Sequence, residues 1–301
     1  MLPTTLNTDE LARRVVQEAW AQHHEVVAAR EVSTETLSAI RPYPYQEEAI
    51  KFLSERSGAL LADDCGLGKT LCAIESVKQC IGPKLVVCNK RAIEWWYQEI
   101  HRQCPGASVH HAVVGGRNDV NWQLWRRARP DVWFIIHWEG LVSRSASLAP
   151  VLWDVVIADE AHKIRNRKTK RALALKSLLT QRRIALSATD MEHSPADLWS
   201  LLNWFNKDQF QSYWDFFNEF VDYKAGYFGG HAIKGVKNKE RLGLLLKDYV
   251  LRRTKQEVAP QLPPKIYTNV PIELDGEQRR WYHKFAKEWL IDLEKDDGSD
   301  L

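Results

Sequence analysis

The stretch from Gly58 to Ile74, GALLADDCGLGKTLCAI, constrains the fold of this chain more than any other. A short apolar run leads into a polar turn containing Gly66 and Gly68, and an apolar pattern with helical spacing follows Lys69. Glycines let backbone N–H groups converge on an anion, and a helix N-terminus adds partial positive charge. The stretch therefore predicts a buried strand, a phosphate-binding turn and a helix.

The side chains of this turn are of the types that hold a nucleoside triphosphate with its magnesium ion. Lys69 would reach the β- and γ-phosphates, and the Thr70 hydroxyl would ligate Mg²⁺. The strict pattern begins with glycine where this chain has Asp63, so an ordinary strand–turn–helix junction with an incidental lysine is the alternative. The expected ATP contacts in the turn and the start of the helix are Asp64, Gly66, Leu67, Gly68, Lys69, Thr70 and Leu71.

A second motif follows the apolar run Asp154–Ala158, which predicts a strand ending at two carboxylates, Asp159 and Glu160. In nucleotide hydrolases one carboxylate holds Mg²⁺, here Asp159, and the other can orient and deprotonate the attacking water, here Glu160. The alternative interpretation is that the two acidic residues only stabilise a helix N-terminus. The upstream Lys69–Thr70 pair favours the hydrolase interpretation, with Lys69, Asp159 and Glu160 as catalytic residues.

Short apolar runs that alternate with helical patterns predict the fold class. The predicted strands are residues 59–62, 84–88, 133–136, 154–158 and 183–187, with a weaker candidate at 109–114. Runs that are apolar on both faces indicate a mostly parallel sheet covered by helices on both sides, which is an α/β doubly wound domain. Ligands bind such sheets at the carboxyl ends of the strands, where both motifs fall.

Composition along the chain suggests four regions. Residues 1–35 are predicted to be a helical segment, and residues 36–206 contain the sheet pattern and the nucleotide motifs. From residue 207 to 260, aromatic and leucine residues recur at helical spacing, which predicts a helical protrusion outside the sheet. Residues 261–301 follow a proline break and end in a polar stretch that is expected to fray.

Net charge is only +3 at pH 7, so any basic surface must be local. One basic run follows the acidic pair. Its members are Lys163, Arg165, Arg167, Lys168, Lys170 and Arg171. Such a run is either a solvated helix face or a contact surface for a nucleic-acid backbone, and the residue types alone leave both interpretations open.

Cysteine content and hydropathy bear on the cellular compartment. Five cysteines without a C-x-x-C pair predict a reducing compartment. The first residues lack the pattern of a signal peptide, and no run is long and apolar enough to span a membrane. We therefore expect an intracellular protein without a membrane partner, in the cytoplasm of a prokaryotic or viral host or in a eukaryotic nucleus.

Seven stretches occur in an order that is specific to one family. They are RPYPYQEEAIKFL, LADDCGLGKT, KLVVCNKRAIEWWYQEI, FIIHWEGL, VVIADEAHKIRN, IALSATDMEHSPADLWSLLNWF and YVLRRTKQEVAPQLPPK. Together they resemble the first motor lobe of the Swi/Snf-type ATPases of helicase superfamily two, from about Arg41 to about Tyr282. The resemblance implies a RecA-like fold for residues 36–206.

The resemblance also implies roles for further residues. Gln46 would read the adenine of ATP. The residues expected to couple nucleotide state to movement are His162, Ser187 and Thr189. The residues expected to contact DNA are Asn89, Lys90, Trp138, Lys163, Arg165 and Asn166.

The expected function follows from the same resemblance: the ATP-binding first lobe of a double-stranded DNA translocase that uses ATP and Mg²⁺. Such motors need a second RecA-like lobe, in cis or in trans, whose arginine completes the site, and no Gln-x-x-Gly-Arg-x-x-Arg-type segment is present here. Residues 261–301 are thus expected to be a linker toward that lobe, and this chain alone to hydrolyse ATP barely. The alternatives are a strand-separating DEAH-type helicase lobe and a non-catalytic ATP-dependent interaction module.

Overall fold

Alternating strands and helices fill the part of the chain that the computed structural model describes, which is residues 41–111, 132–188, 195–225, 231–258 and 273–296. The chain divides into two units, Met1–Val258 and Ala259–Leu301. The predicted helical segment at residues 1–35, the end of the weak strand candidate at 112–114 and Thr189 lie outside the described residues.

Seven of the described strands form one parallel sheet in the first unit, in the order β3-β4-β2-β5-β6-β1-β9. Their bounds are β1 Gly58–Leu61, β2 Lys84–Cys88, β3 Ser108–His111, β4 Val132–His137, β5 Leu152–Asp159, β6 Leu179–Leu186 and β9 Val250–Leu251. The first six correspond to the predicted strands with small shifts of their ends. The predicted α/β class with a mostly parallel sheet is confirmed.

Successive residues of a strand point to opposite sides of the sheet, so both faces of this sheet carry apolar side chains, and helices cover both. In β2, Val86 and Cys88 pack with one group of helices, whereas Leu85 and Val87 pack with the other. The first group is α1 Pro44–Ser54, α2 Lys69–Val77 and α3 Ile93–Gln103. The second group is α4 Trp138–Ser143, α5 Ser145–Leu148, α6 Lys170–Lys176 and α7 Pro195–Phe205.

Local sequence sets where the helices near the strand ends begin. Helix α1 starts with Pro44, whose missing N–H is not needed in the first turn. Helix α2 starts directly after Gly68, which has the left-handed conformation. The Thr169 hydroxyl accepts a hydrogen bond from the N–H of Ala172 at 3.2 Å and so caps α6.

The region predicted to be a helical protrusion, residues 207–260, contains strands as well as helices. Helices α8 Tyr213–Phe220, α9 Lys239–Lys247 and α10 Lys255–Val258 are present, but β7 Val221–Ala225 and β8 His231–Val236 form an antiparallel pair. Strand β9 returns to the main sheet and pairs with β1. The leucine spacing after residue 242 therefore spans a helix and then a strand. The pairing of β9 with β1 satisfies backbone N–H groups at the edge of β1. No periodic pattern in the sequence indicates this pairing.

The second unit contains α11, Gly276–Asp296. Asp275 begins it, since its carboxylate accepts hydrogen bonds from the N–H groups of Glu277 and Gln278 at 3.1 and 2.8 Å. The region predicted to be a linker thus includes a regular helix. Among the described residues no helix combines the length and the apolar character needed to cross a membrane.

The contact between β1 and α7 can be tested at Gly58. A Cβ at this position would lie 2.6 Å from the Cβ of Phe205. We expect Gly58→Ala to lower the free energy of unfolding by about 1–3 kcal/mol, because the helix or strand must shift. Urea unfolding followed by tryptophan fluorescence measures it.

The matched control is Gly243 in α9, where an added Cβ meets no atom within 4 Å. Gly243→Ala should raise the free energy of unfolding by about 0.5–1 kcal/mol, because alanine loses less backbone entropy in a helix. Equal stability of Gly58→Ala and the unmodified chain would contradict the packing of α7 on β1.

Candidate nucleotide-binding site

The carboxyl ends of β1, β6 and β5 bring the two sequence motifs to one edge of the sheet. Leu186 of β6 pairs with Leu61 of β1 on one side and with Asp159 of β5 on the other. Since neighbouring strands are about 4.8 Å apart and β6 lies between β1 and β5, Leu61 and Asp159 lie about 10 Å apart across the sheet. The turn after β1 and the acidic pair after β5 therefore face the same volume.

The turn after β1 has a shape that depends on glycine. Gly66 and Gly68 have φ angles of 84° and 82°, in the left-handed region that other residues rarely adopt. The Lys69 ammonium donates hydrogen bonds to the main-chain oxygens of Asp63 at 2.7 Å and Asp64 at 3.1 Å. The cation is thus held by the carbonyls of the turn itself, and Thr70 follows it in the first turn of α2.

Gln46 braces the turn from α1. Its buried side-chain oxygen accepts the N–H of Tyr43 at 2.9 Å, and its amide nitrogen donates to the Leu67 carbonyl at 3.1 Å. A Cβ on Gly68 would lie 2.4 Å from this nitrogen, so the close approach requires glycine there. The structure therefore gives Gln46 a position in the wall of the turn, and its expected contact with adenine stays a prediction.

The Asp159 carboxylate is held by two donors. The Trp96 indole N–H donates to Oδ2 at 3.0 Å, and the Glu160 N–H donates to Oδ1 at 3.0 Å. The Trp138 indole N–H binds the main-chain oxygen of Asp159 at 3.1 Å. Burial raises the pKa of Asp159, while the Trp96 hydrogen bond and the charge of Lys69 lower it.

The tryptophans near Asp159 differ from expectation. Trp138 is fully buried and its indole N–H binds the main chain of Asp159, while its expected contact with DNA stays a prediction. Trp96, also fully buried, escaped sequence reasoning. Its neighbour Trp95 is 60% exposed, and helical spacing with Ile100 could have indicated which of the two points inward, but not the carboxylate that it binds.

Glu160 has a φ of 53°, which is uncommon for a residue other than glycine and is typical of constrained functional positions. One of its carboxylate oxygens lies 3.2 Å from His162 Nδ1. A short 3-10 helix, Ala161–Ile164, follows directly. The predicted water-orienting and coupling residues of the acidic motif are therefore adjacent in space as well as in sequence.

The residues predicted to contact DNA lie after β2 and after β5. Lys90, Arg165 and Asn166 are exposed, while Asn89 and Lys163 are partly buried. Lys90 and Asn89 line an open depression of about 490 Å³ that Glu139 also borders. The two groups follow strands that pair side by side at the edge carrying Asp159.

The structure divides the basic run after Asp159. Arg167 stacks on the Tyr213 ring at 4.1 Å, and Arg171 forms an ion pair with Glu139 at 2.8 Å. Lys168 and Lys170 are exposed beside them. Arg167 and Arg171 thus have partners within the protein, which neither of the two sequence interpretations of the run had included.

Two further positions complete the edge. Ser187, which is expected to couple nucleotide state to movement, is 1% exposed at the end of β6. Its N–H donates to the Leu61 carbonyl at 3.2 Å. Arg253 was not predicted. It donates to both carboxylate oxygens of Asp63, at 2.6 and 3.2 Å, and to Glu48 at 3.0 Å. This pair explains why the turn begins with aspartate where the strict pattern has glycine, and no local signal could have revealed it.

Comparisons with known proteins agree with this geometry. The ISWI chromatin-remodeling complex ATPase ISW1 of Saccharomyces cerevisiae is 26% identical over 271 residues, covering 85% of this chain and 23% of that protein. The SWI/SNF-related matrix-associated actin-dependent regulator of chromatin subfamily A member 1 of Mus musculus is 31% identical over 234 residues, covering 75% and 22%. This chain therefore spans less than a quarter of the length of these relatives.

A solved structure shares the fold. The Sulfolobus solfataricus SWI2/SNF2 ATPase core in complex with dsDNA matches with a TM-score of 0.59 and 26% identity, over 88% of this chain and 57% of that one. The family model described as SNF2-related domain matches residues 45–300, a range that includes the phosphate turn, the acidic pair and Arg253. With most of its length matched by that model, this chain belongs to the SNF2-related domain family.

Proposed function

We propose that this chain is the ATP-binding first lobe of a Swi/Snf-type, ATP-dependent double-stranded DNA translocase. The observation that supports this most is the strand pairing that brings the Lys69 turn and Asp159 to one sheet edge, together with the two left-handed glycines of that turn. Family membership supports the ATPase class. The dsDNA in the related Sulfolobus structure supports the choice of partner.

The residues at the edge fit a magnesium nucleotide. A phosphate would offer the Lys69 ammonium a charged acceptor in place of the two neutral carbonyls that it now binds. Thr70 and Asp159 would hold Mg²⁺, which when bound neutralises charge on the phosphate oxygens. Within the described ranges no group of three or more His, Cys, Asp and Glu could hold a metal. Magnesium in nucleotide sites needs none, since phosphates supply part of its shell.

The acidic motif supplies the groups for hydrolysis. Glu160 would orient the attacking water and accept its proton. His162 lies against that carboxylate and is proposed to report its state to the neighbouring DNA-contacting residues. Ser187 and Thr189 are proposed to share this coupling role.

Hydrolysis at an ordinary rate is proposed to need a second RecA-like lobe. An arginine supplied to the transferred phosphate contributes about 10³–10⁵ in rate in comparable systems. We propose that residues 261–301 lead toward that lobe, and that this chain alone binds ATP and turns it over slowly. Because DNA is the proposed partner, the compartment would be the cytoplasm of a prokaryote or viral host, or a eukaryotic nucleus.

Lys69→Ala tests the phosphate cradle. Removing the ammonium takes away a charged hydrogen-bond donor, so the affinity for a fluorescent ATP analogue with Mg²⁺ should fall by about 10–100-fold. Fluorescence titration measures it, with Lys90→Ala, an exposed lysine after β2, as the control. Unchanged affinity in Lys69→Ala would show that the turn does not bind nucleotide phosphates.

Trp96→Phe tests the support of Asp159. The variant keeps the ring but removes the N–H that binds the carboxylate. Loss of such a supporting hydrogen bond typically weakens metal binding by about 10–100-fold, so the Mg²⁺ dependence of nucleotide binding should shift to higher concentrations. Trp95→Phe, changed at the exposed neighbour, should leave it as it was. Identical Mg²⁺ titrations for the two variants would argue against Asp159 as a metal ligand.

DNA binding is expected to depend on salt and not on sequence, because the proposed contacts are with phosphates. Replacing Lys163 and Arg165 together by alanine should reduce the slope of log affinity against log salt by about 2. Titrations of two unrelated duplexes at several salt concentrations measure this slope. The control is Lys239→Ala, at the start of α9. A slope that the double variant leaves unchanged would identify the run as a solvated face.

A further inference from the structure

The segment Val250–Lys255, here called the strap, runs beside the phosphate turn. Its first two residues pair with β1, and the Ala62 N–H donates to the Leu251 carbonyl at 2.7 Å. Further along, the Asp64 N–H donates to the Arg253 carbonyl at 3.1 Å. The Lys255 N–H in turn donates to the Asp64 carboxylate at 2.9 Å. The strap is therefore bonded to the main chain of β1 and to the first half of the turn.

A buried ion pair joins the two side chains at the centre of this contact. Arg253 is 8% exposed and Asp63 is 1% exposed, and their two parallel hydrogen bonds have the geometry that arginine and carboxylate favour. Glu48 and the Tyr45 carbonyl of the first helix accept hydrogen bonds from Nη1 of the guanidinium. Burial opposes the charge of Arg253, but the hydrogen bonds and charge of Asp63 raise its pKa. Loss of Arg253 would leave Asp63 as a buried, unpaired charge, whereas loss of Asp63 would leave Arg253 with the exposed Glu48 as its charged partner.

Asp63 and Asp64, which bind the strap, also hold Lys69, the lysine proposed to bind nucleotide. The side chains of Asp63 and Asp64 bind the strap, whereas their main-chain oxygens accept the hydrogen bonds of the Lys69 ammonium. The Lys255 ammonium lies 3.6 Å from where a Cβ of Gly66 would be, so the strap also lies against the middle of the turn. A displacement of the strap would therefore move the main-chain carbonyls of Asp63 and Asp64, which hold the Lys69 ammonium.

We propose that Arg253 is a positioning residue for the phosphate turn, and that nucleotide binding at the turn in return orders the strap. The inference rests on the proposed function, because it takes the ATP phosphates to be the ligand of the turn. Coupling of this kind is reciprocal: if the strap sets the affinity of the turn for nucleotide, nucleotide must stabilise the strap by the same factor.

The first test compares the affinity of a fluorescent ATP analogue with Mg²⁺ for the full chain and for its variants. Arg253→Lys keeps the charge but loses the parallel hydrogen bonds, and Asp63→Asn keeps the size and the main-chain oxygen. Each should weaken binding by about tenfold, and the double variant should weaken it by no more than either single one, because both remove one interaction. Strictly additive losses, or none, would overturn the inference.

A matched control is Arg56→Lys. Arg56 also joins elements near the strap, since it donates to the Asp248 carbonyl at 2.8 Å and to the Phe52 carbonyl at 3.0 Å, but no contact with the turn is among these. This variant should bind the analogue as the unmodified chain does. A loss in Arg56→Lys equal to that in Arg253→Lys would mean that general destabilisation explains both.

The second test needs no variant in the strap and decides the matter if Arg253→Lys or Asp63→Asn fails to fold. Hydrogen–deuterium exchange of the unmodified chain is measured with and without saturating Mg²⁺ and ATP. Amides of the strap, above all that of Lys255, should exchange more slowly with nucleotide, and this slowing should be absent in Lys69→Ala. Slowing confined to residues 63–70 would overturn the inference.

The two proposals fail in different ways. If the unmodified chain does not bind the analogue at all, the proposed function fails and the strap has no ligand to respond to. If it binds the analogue, and Arg253→Lys and Asp63→Asn bind it equally well, only the positioning role of Arg253 fails.

Discussion

The pairing of Leu186 with Leu61 on one side and Asp159 on the other is the constraint on which the site depends. Because all three strands are parallel, their carboxyl ends must share one edge, and whatever follows each strand is delivered to the same place. A cation that follows β1 and a carboxylate that ends β5 are thus brought to the same edge, although β6 lies between the two strands. The site is a property of strand order, and the apolar core that fixes this order is its foundation.

Holding a carboxylate at that edge has an energetic cost, because burial disfavours its charged form. Trp96 offsets part of this cost, because its side chain combines an apolar body with one N–H donor that binds the carboxylate. Trp96 and Trp138 fill the core on opposite faces of the sheet, yet each aims its indole N–H at Asp159. The same residues therefore complete the packing and orient the acidic group, which accounts for some of the thirteen tryptophans in the chain.

Sequence patterns were sufficient wherever the determining interactions are local. The six strands, the glycine turn and the acidic pair all follow from apolar runs and spacing, so the fold class and the edge were predictable. The errors share a different cause. Arg253 was overlooked and β9 was placed in a helical segment, and each is decided by a partner distant in sequence; Arg253 and Asp63, for example, are 190 positions apart. Contacts between residues so far apart in the chain cannot be inferred from a single sequence.

The two-residue strand β9 has an implication for how this architecture can vary. The chain leaves the sheet after α7, builds α8, the antiparallel pair and α9, and then comes back to bond β1. This region is therefore an insertion whose two ends both lie on the parallel sheet, and not a tail. Its interior is free to lengthen or diversify over evolution, provided that the returning residues still dock against the strand that carries the phosphate turn.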